Sequence, residues 1–227
     1  MPPEEQDMEP DAQAERRALK DRVVEAALLH AAFDGWTRRS LVAAGADADI
    51  DAATVRRLFA GRSDAALDAL DDWLDRKMLE AVDSEALLNL PVRKRIATLV
   101  RARFTCVEGH EEAMRRAALA RGLPGNMFRS ARSTWRTADR IWDAAGFSDR
   151  NTDGFSRYTR RGLLVGILVS TFLFWLEDRS DEHAESWAFL DRRIDDALTI
   201  GKASAGLKRF VPPFLDRMPM PARRRTA

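Results

Sequence analysis

Residues 127–145 read MFRSARSTWRTADRIWDAA, and their apolar side chains recur at alternating three- and four-residue steps. This spacing is typical of one apolar face of an α-helix. The residues that share the face are Phe128, Ala131, Trp135, Ala138, Trp142 and Ala145. A second, more continuous apolar run follows at residues 162–176. Such runs usually form a buried core and less often line a ligand cavity, so periodicity alone leaves both interpretations open.

The rest of the chain also has helical periodicity, and no segment alternates as a strand would. The sequence therefore predicts an all-α fold. Predicted helices cover residues 14–32, 40–44, 52–59 and 92–107, then 111–120, 127–145, 155–177 and 185–199, and Ser63 is expected to cap a further helix that reaches residue 82. The predicted organisation is a disordered lead at 1–13, a small helical unit at 14–84, a larger helical domain at 85–199 and a basic tail at 200–227.

The composition limits the cellular compartment and the kinds of partner that the chain can have. Its 227 residues are 45% hydrophobic, enough for a substantial core, and its net charge is only +1. Any affinity for nucleic acid or membrane must therefore come from local charge clusters. The single cysteine, Cys106, excludes an intrachain disulfide and fits a reducing compartment. Residues 1–11 lack the features of a secretory or organelle-targeting segment, so we expect a bacterial cytoplasmic protein.

The first quarter of the chain resembles the helix-turn-helix head of TetR-type repressors. Three predicted helices are joined by short turns, with the sequence Gly-Trp-Thr at 35–37 and Arg-Leu-Phe at 57–59. Asp51 is the expected N-cap of the third helix. Residues 40–76 hold eight Asp against four Arg, whereas a DNA-binding head needs a basic face. We therefore expect a vestigial head and regard DNA as an improbable partner. The alternative is a TetR-type repressor that senses an apolar ligand.

A set of residues in the second half of the chain has the spacing of a protein family, and this resemblance is more specific than that of the head. The set comprises Trp135, Arg136, Ala138, Asp139, Trp142, Gly146, Asp153, Tyr158, Thr159, Arg161, Leu164, Thr171, Trp175, Asp178, Ser180, Trp187, Phe189, Leu190, Arg193 and Ile194. Together these residues resemble the C-terminal signature of the ninth Coq family, accessory proteins of coenzyme Q (ubiquinone) biosynthesis. The match is close over residues 132–198, and a TetR-like head is expected in that family as well.

This resemblance implies a non-catalytic, TetR-related homodimer that holds isoprenoid quinone intermediates and delivers them to a hydroxylase at the membrane. The implied lipid-binding residues are Trp135, Ile141, Trp142, Leu164, Ile167, Leu168, Phe172 and Trp175. The implied partner surface comprises Asp153, Tyr158 and Arg161, for which helix capping and salt bridging are alternative roles. The chain departs from the family at Arg157, where mitochondrial members have an aromatic residue directly before the tyrosine.

The C-terminal stretch predicts a peripheral membrane contact at the inner face of the bacterial membrane. Residues 202–227 carry seven Lys or Arg against one Asp, interspersed with apolar side chains. The expected membrane residues are Leu207, Lys208, Arg209, Phe210 and Phe214. Four prolines from 212 onward limit any amphipathic helix to about residues 197–211. The alternative is a solvated basic terminus.

We expect neither a catalytic centre nor a metal or cofactor. None of the three histidines has a glutamate three positions before it, as a ferritin-like di-iron site would require. Cys106 and His110 are four residues apart, but Gly109 interrupts that helix and no further ligand is evident. The sequence also lacks a phosphate-binding glycine loop and a nucleophile elbow.

Overall fold

The computed structural model describes residues 8–60, 65–123, 125–147 and 154–207, and within these ranges it is helical and contains no strand. The helices are α1 (Met8–Asp34), α2 (Arg38–Asp47), α3 (Ala52–Leu58), α4 (Ala65–Glu80), α5 (Ser84–Leu88), α6 (Val92–Thr105), α7 (Glu111–Gly122), α8 (Met127–Ala144), α9 (Gly154–Trp175) and α10 (Ala184–Leu207), with a single 3₁₀ turn, Asp181–His183, before α10. The predicted all-α fold is confirmed.

Helices α1 to α3 form the head. Asp51 is the N-cap of α3 as predicted, because its Oδ1 accepts hydrogen bonds from the backbone N–H groups of Ala53 and Thr54 at 2.9 and 3.0 Å. Gly45 allows α2 and α3 to approach closely, since a Cβ at that position would collide with the Val55 side chain. Helix α1 packs against α4 and α7, and Trp36 adds a hydrogen bond from its Nε1 to the Ala113 carbonyl.

Most helices match the sequence prediction within a few residues, with three notable differences. Helix α1 begins at Met8 rather than at residue 14, so it includes part of the predicted disordered lead at 1–13. Helix α5 was not predicted, because a single turn capped by Asp83 is too short to show a periodicity. Helix α10 continues to Leu207 rather than ending near Thr199, so the described helix includes the beginning of the predicted basic tail. The predicted cap Ser63 lies outside the described residues.

Helix α8 faces the core differently from the sequence prediction. Ala138 and Ala145 are fully buried as expected, but Phe128 is 90% exposed. The helix instead buries the hydroxyls of Ser133 and Thr137. These hydroxyls donate to carboxylates on α4, and a buried carboxylate needs such donors. The hydrogen-bonding requirement of α4 therefore decides which face of α8 turns inward.

Candidate functional site

A cavity of about 300 Å³ opens among helices α4, α6, α7, α8 and α9. Its wall is apolar over most of its area and polar along one side. The lining residues are Asp71, Leu74, Arg103, Phe104, Val107, Met114, Ala118, Arg121, Gly122, Met127, Ser130, Thr134, Thr137, Leu168, Val169, Phe172 and Leu173. Cavities of this mixed character are typical of sites for small amphiphilic ligands.

The apolar wall is built around an aromatic group. Phe104 on α6 packs against Phe172 on α9, with ring centroids 6.0 Å apart. Behind it, the fully buried ring of Trp175 stacks on Phe104 at 5.8 Å. Leu168, one turn before Phe172, is 4% exposed and completes this wall. Paired rings of this kind fix each other's orientation, so the apolar wall is largely preformed.

The polar side of the cavity centres on Asp71 of α4. Its Oδ1 accepts hydrogen bonds from Arg121 at 2.6 Å and from Arg103 at 3.2 Å, and its Oδ2 accepts one from Ser133 at 2.6 Å. Both bonds from Arg121 use Nη2. Arg121 lines the cavity, and neither of these two bonds uses its Nε or Nη1.

Asp75, one turn along α4, forms a second layer behind Asp71. Its carboxylate accepts hydrogen bonds from Arg103, from Arg140 at 2.9 Å and from Thr137 at 3.0 Å. Burial raises the pKa of Asp75 although Arg103 and Arg140 oppose this shift.

The charges of this network balance. The Asp72 carboxylate accepts hydrogen bonds from Arg76 and Arg140, and these partners lower the pKa of Asp72 in spite of its burial. Arg76 also pairs with Asp21, so the network joins four arginines to four aspartates. The members are Arg76, Arg103, Arg121 and Arg140 with Asp21, Asp71, Asp72 and Asp75. The network behind the polar side of the cavity thus carries no formal net charge as a whole.

The cavity is open to the surface at one end. Its most exposed lining side chains are Met127 at 58%, Leu173 at 55% and Val169 at 43%. The buried end, by contrast, is formed by residues such as Val107 and Met114, which are at most 3% exposed. A ligand could therefore enter along an apolar path between the start of α8 and α9.

The structure brings two of the eight predicted lipid-binding residues, Leu168 and Phe172, to the cavity wall. The others lie elsewhere: Ile141, Leu164 and Ile167 are buried in the core, Trp175 lies behind Phe104, Trp142 stacks on Phe147 with centroids 4.4 Å apart, and Trp135 is half-buried on α8. Whether any of the eight contacts a lipid stays a prediction.

The sequence did not predict that residues of α4, α6 and α7 line the cavity. One signal was present, because Arg103 lies on the apolar face of α6 together with Val100 and Phe104. A charged residue on such a face requires a buried partner, and Asp71 and Asp75 are one helical turn apart on α4. Pairing these two observations would have placed α4 against α6 at a polar site.

The predicted partner surface is only partly described. Asp153 lies outside the described residues, and of Tyr158 only the backbone, within α9, is described. Arg161 is 6% exposed and its Nε forms an ion pair with Asp139 of α8. Arg161 therefore holds the start of α9 against α8. Of the predicted membrane residues, Leu207 ends α10, whereas Lys208, Arg209, Phe210 and Phe214 lie outside the described residues.

The Cys106 and His110 pair shows no catalytic arrangement. Cys106 is half-buried, burial raises the pKa of its thiol, and its Sγ lies 3.0 Å from the Ala102 carbonyl. Over the ranges that the structure describes, no three His, Cys, Asp or Glu side chains are grouped so as to hold a metal ion. In the same ranges, no helix combines the length and hydrophobicity needed to cross a bilayer.

The head is less acidic than its local sequence implies. Three of the eight aspartates counted between residues 40 and 76, namely Asp71, Asp72 and Asp75, point to arginines of the larger domain. On α3, Arg56 and Arg57 are exposed, as are Arg38 and Arg39 at the start of α2. The charge counted from the sequence therefore overstates the negative charge of the head. Asp47, Asp49 and Asp51 nevertheless lie at the connection between α2 and α3.

Comparison with known sequences confirms the predicted resemblance. The family model described as COQ9 matches residues 127–201, from the start of α8 into α10. The "Ubiquinone biosynthesis protein COQ9, mitochondrial" of Xenopus tropicalis is 29% identical over 190 residues, which are 81% of this chain and 59% of that protein. The human protein of the same name is 26% identical over 211 residues, covering 90% and 64% of the two chains. The chain thus spans about three fifths of the length of these relatives.

Comparison with solved structures confirms the TetR-like fold. The crystal structure of a TetR transcriptional regulator from Nitrosomonas europaea superposes with a TM-score of 0.63. The match covers 80% of this chain and 98% of the regulator, at 21% sequence identity. At this identity the likeness establishes the fold and carries no information about the ligand.

Proposed function

We propose that this chain is a non-catalytic accessory protein of ubiquinone biosynthesis, which binds isoprenoid quinone intermediates and presents them to a hydroxylase at a membrane. The similarity to proteins named for ubiquinone biosynthesis supports the pathway. The cavity supports the lipid-binding role, because it combines an apolar wall with a polar side of balanced charge. In this proposal the protein supplies binding and orientation, and the chemical step belongs to the partner enzyme.

The balanced network favours a neutral polar head group over a charged one. A phosphate or carboxylate would add an uncompensated charge beside Asp71, and burying such a charge is costly. A phenol or quinone ring instead offers oxygens that accept hydrogen bonds from Nε and Nη1 of Arg121. Its ring could pack against Phe172 on the opposite wall.

The cavity volume limits how much of the lipid is enclosed. At about 300 Å³ the cavity is at the small end of the range for small-molecule sites, roughly 300–1,000 Å³. It therefore encloses a ring and the first isoprene units, and the rest of a long prenyl chain extends through the opening at Met127 and Leu173. Affinity comes mainly from burial of apolar surface, at roughly 25 cal/mol per Å².

Leu168→Asp tests the cavity assignment. The substitution places a charge on the buried apolar wall, so the variant should lose co-purifying quinone or prenylated precursor. The measurement is mass spectrometry of organic extracts from protein produced in a quinone-producing host. Leu198→Asp is the matched control, because Leu198 is 39% exposed on α10 and does not line the cavity.

A second variant covers the case in which Leu168→Asp does not fold. Val169→Trp fills the opening from a position that is 43% exposed and buries no charge. Folded Val169→Trp protein should also lose the lipid. If folded variants of both kinds retain as much lipid as the unmodified chain, the cavity is not the binding site. An empty extract from the unmodified, folded chain would contradict the lipid-binding proposal itself.

The remaining features of the proposal concern partners. A homodimer would use the outer face of the first half of α9, where a Cβ added at Gly162 or Gly166 meets no atom within 4 Å, while the opening at Leu173 lies in the second half of the helix. The hydroxylase would contact the region of Asp153 and Tyr158, with Arg161 as a positioning residue. The segment from Leu207 to Phe214 would touch the inner face of a bacterial membrane, and its basic groups would be attracted to anionic lipids.

The second candidate function is a TetR-type repressor with an apolar effector. The exposed arginines on α2 and α3 of a TetR-like head favour it. A gel shift with non-specific DNA at low salt tests this candidate, because phosphate contacts dominate non-specific binding and weaken as salt increases. A salt-sensitive shift that Arg56→Gln and Arg57→Gln together abolish would support the repressor. No shift at low salt would eliminate it.

A further inference from the structure

The connection between α7 and α8 exposes an unusual number of large apolar side chains. Phe128 is 90% exposed, Leu119 66%, Leu123 58% and Met127 58%. These four residues lie within ten positions of one another, at the end of α7 and the first turn of α8. Clustered exposed apolar residues of this size commonly mark a surface that contacts another molecule or a membrane.

The same part of the chain is strongly basic. Residues 113–138 contain six arginines and no aspartate or glutamate. Arg115 and Arg116 pair with Glu112. Arg129, Arg132 and Arg136 follow on α8, where all three are exposed. The net charge of the chain is only +1, yet these exposed arginines share α8 with Phe128, the most exposed phenylalanine among the described residues.

The cavity opens onto this apolar and basic surface. Gly122 and Met127 line the cavity and also belong to the exposed connection. Leu123 directly follows Gly122, and Phe128 directly follows Met127, so a lipid tail that leaves the cavity at Met127 would emerge close to both residues. This continuity gives the exposed residues a physical role, because a lipid could move between the cavity and its surroundings without crossing water.

We propose that the α7–α8 surface, defined as Leu119, Leu123, Met127, Phe128, Arg129 and Arg132, inserts into the interfacial region of a bilayer that contains anionic phospholipids. Apolar side chains enter the acyl boundary while arginines contact the head-group phosphates, as in other interfacial protein segments. The proposal rests on the lipid-binding function proposed above and adds where the membrane contact lies. It is distinct from the C-terminal segment that sequence analysis assigns to the membrane.

The charge pattern favours a bilayer over a second copy of this chain. A twofold dimer through this surface would bring its own arginines together, and like charges at close range repel. An anionic lipid surface instead attracts each exposed arginine and accepts all four apolar side chains at once. A second copy of this chain is therefore the alternative occupant that the experiment must exclude.

Fluorescent probes at single positions test the proposal in the full-length chain. Cys106→Ser removes the native thiol, and Phe128→Cys or Phe33→Cys then carries an environment-sensitive fluorophore. Phe33 is the matched control, since it is 82% exposed but lies on α1, outside the arginine-rich segment. With phosphatidylcholine–phosphatidylglycerol vesicles, emission from position 128 should shift to the blue, whereas emission from position 33 should not.

Three outcomes would overturn the proposal. The first is unchanged emission at position 128 although the protein co-sediments with the vesicles, which would assign binding to another segment. The second is an equal shift at positions 128 and 33, which would indicate non-specific adsorption. The third is a blue shift at position 128 that grows with protein concentration in the absence of vesicles, which would identify a second copy as the occupant.

Substitutions give an independent measurement by vesicle co-sedimentation. Phe128→Asp should lower partitioning about tenfold, as expected from the loss of one buried phenylalanine side chain, while Phe33→Asp should leave it unchanged. Arg132→Gln should reduce the difference between anionic and pure phosphatidylcholine vesicles. Equal partitioning of the Phe128→Asp variant and the unmodified chain would contradict the proposal.

The two proposals fail in different ways. If the cavity assignment is wrong, Leu168→Asp retains its lipid while the probe at position 128 still responds to anionic vesicles. If the membrane surface is wrong, the probe at position 128 is silent while the extract of the unmodified chain still contains a prenylated quinone.

Discussion

At the scale of single residues, the most consequential group is the buried carboxylate of Asp75. It is 2% exposed and accepts hydrogen bonds from side chains on α6 and α8. Arg103 and Arg140 would each lose this partner if the carboxylate were removed. The position thus fixes the distance between three helices that border the cavity.

Asp75→Ala should therefore lower the free energy of unfolding by about 3–5 kcal/mol, because it leaves buried guanidinium charge without its partner. Urea unfolding followed by circular dichroism measures the change. Asp195→Ala is the control, since Asp195 is exposed and its pair with Arg93 at 3.0 Å lies at the surface. The control should lose no more than about 1 kcal/mol. Equal losses in both variants would show that the network contributes no more than a surface ion pair.

The role of a single residue could be predicted from the sequence where its partners are close along the chain. The N-cap role of Asp51 follows from its position directly before a helical pattern, and the structure has the expected hydrogen bonds. The inward turn of Ser133 was not predictable in this way, because its partner Asp71 is 62 residues away along the chain. Nothing in the local pattern around Ser133 distinguishes it from a solvent-exposed serine.

At the scale of elements, the turn between α9 and α10 is organised by Asp178. Its carboxylate accepts hydrogen bonds from the backbone N–H groups and the hydroxyls of Ser180 and Ser186, at 2.6–2.8 Å. Burial raises the pKa of Asp178, but these four bonds outweigh burial and hold the pKa well below its ordinary value of 3.8. Asp178 therefore anchors the start of α10 only in its charged form.

Asp178→Asn should destabilise the fold by about 2 kcal/mol at neutral pH, as expected for lost hydrogen bonds to a charged group. A carboxyl with a lowered pKa stabilises the folded state above the unfolded pKa, and this contribution disappears as the pH falls towards the folded pKa. The difference between the two proteins should therefore close as the pH falls below about 3.8. Thermal unfolding across a pH series measures it. Asp181→Asn, an exposed change in the same turn, is the control, and a pH-independent difference would contradict the explanation.

Helix bounds were largely predictable, whereas the orientation of helices was not. The predicted range 127–145 agrees with α8 (Met127–Ala144), because apolar periodicity marks a helix wherever it packs. Which face packs is decided by the neighbouring helices. On α8 the carboxylates of α4 draw the hydroxyl face inward and leave Phe128 outside.

At the scale of the whole molecule, the cavity arises only when five helices assemble. Leu168 and Phe172 could be named from sequence because α9 is the most apolar helix and carries part of the family signature. Phe104 and Met114 come from helices whose patterns indicate only an ordinary core. The sequence therefore predicted the fold and two of the residues that line the cavity, and the other lining residues could be found only from the tertiary structure.

The outer face of α9 gives the last prediction, which concerns assembly. Gly162 and Gly166 are one turn apart, and an added Cβ at either would meet no atom within 4 Å. Small residues at such a position allow another helix backbone to approach closely, and symmetric dimers commonly pair the same face of both subunits. Gly166→Leu should then convert the proposed homodimer to monomer, as measured by size-exclusion chromatography with light scattering. Ala131→Leu, on the exposed side of α8, should leave the mass unchanged. A Gly166→Leu variant with the mass of a dimer would exclude this face of α9 as the interface, and a monomeric unmodified chain would exclude the homodimer altogether.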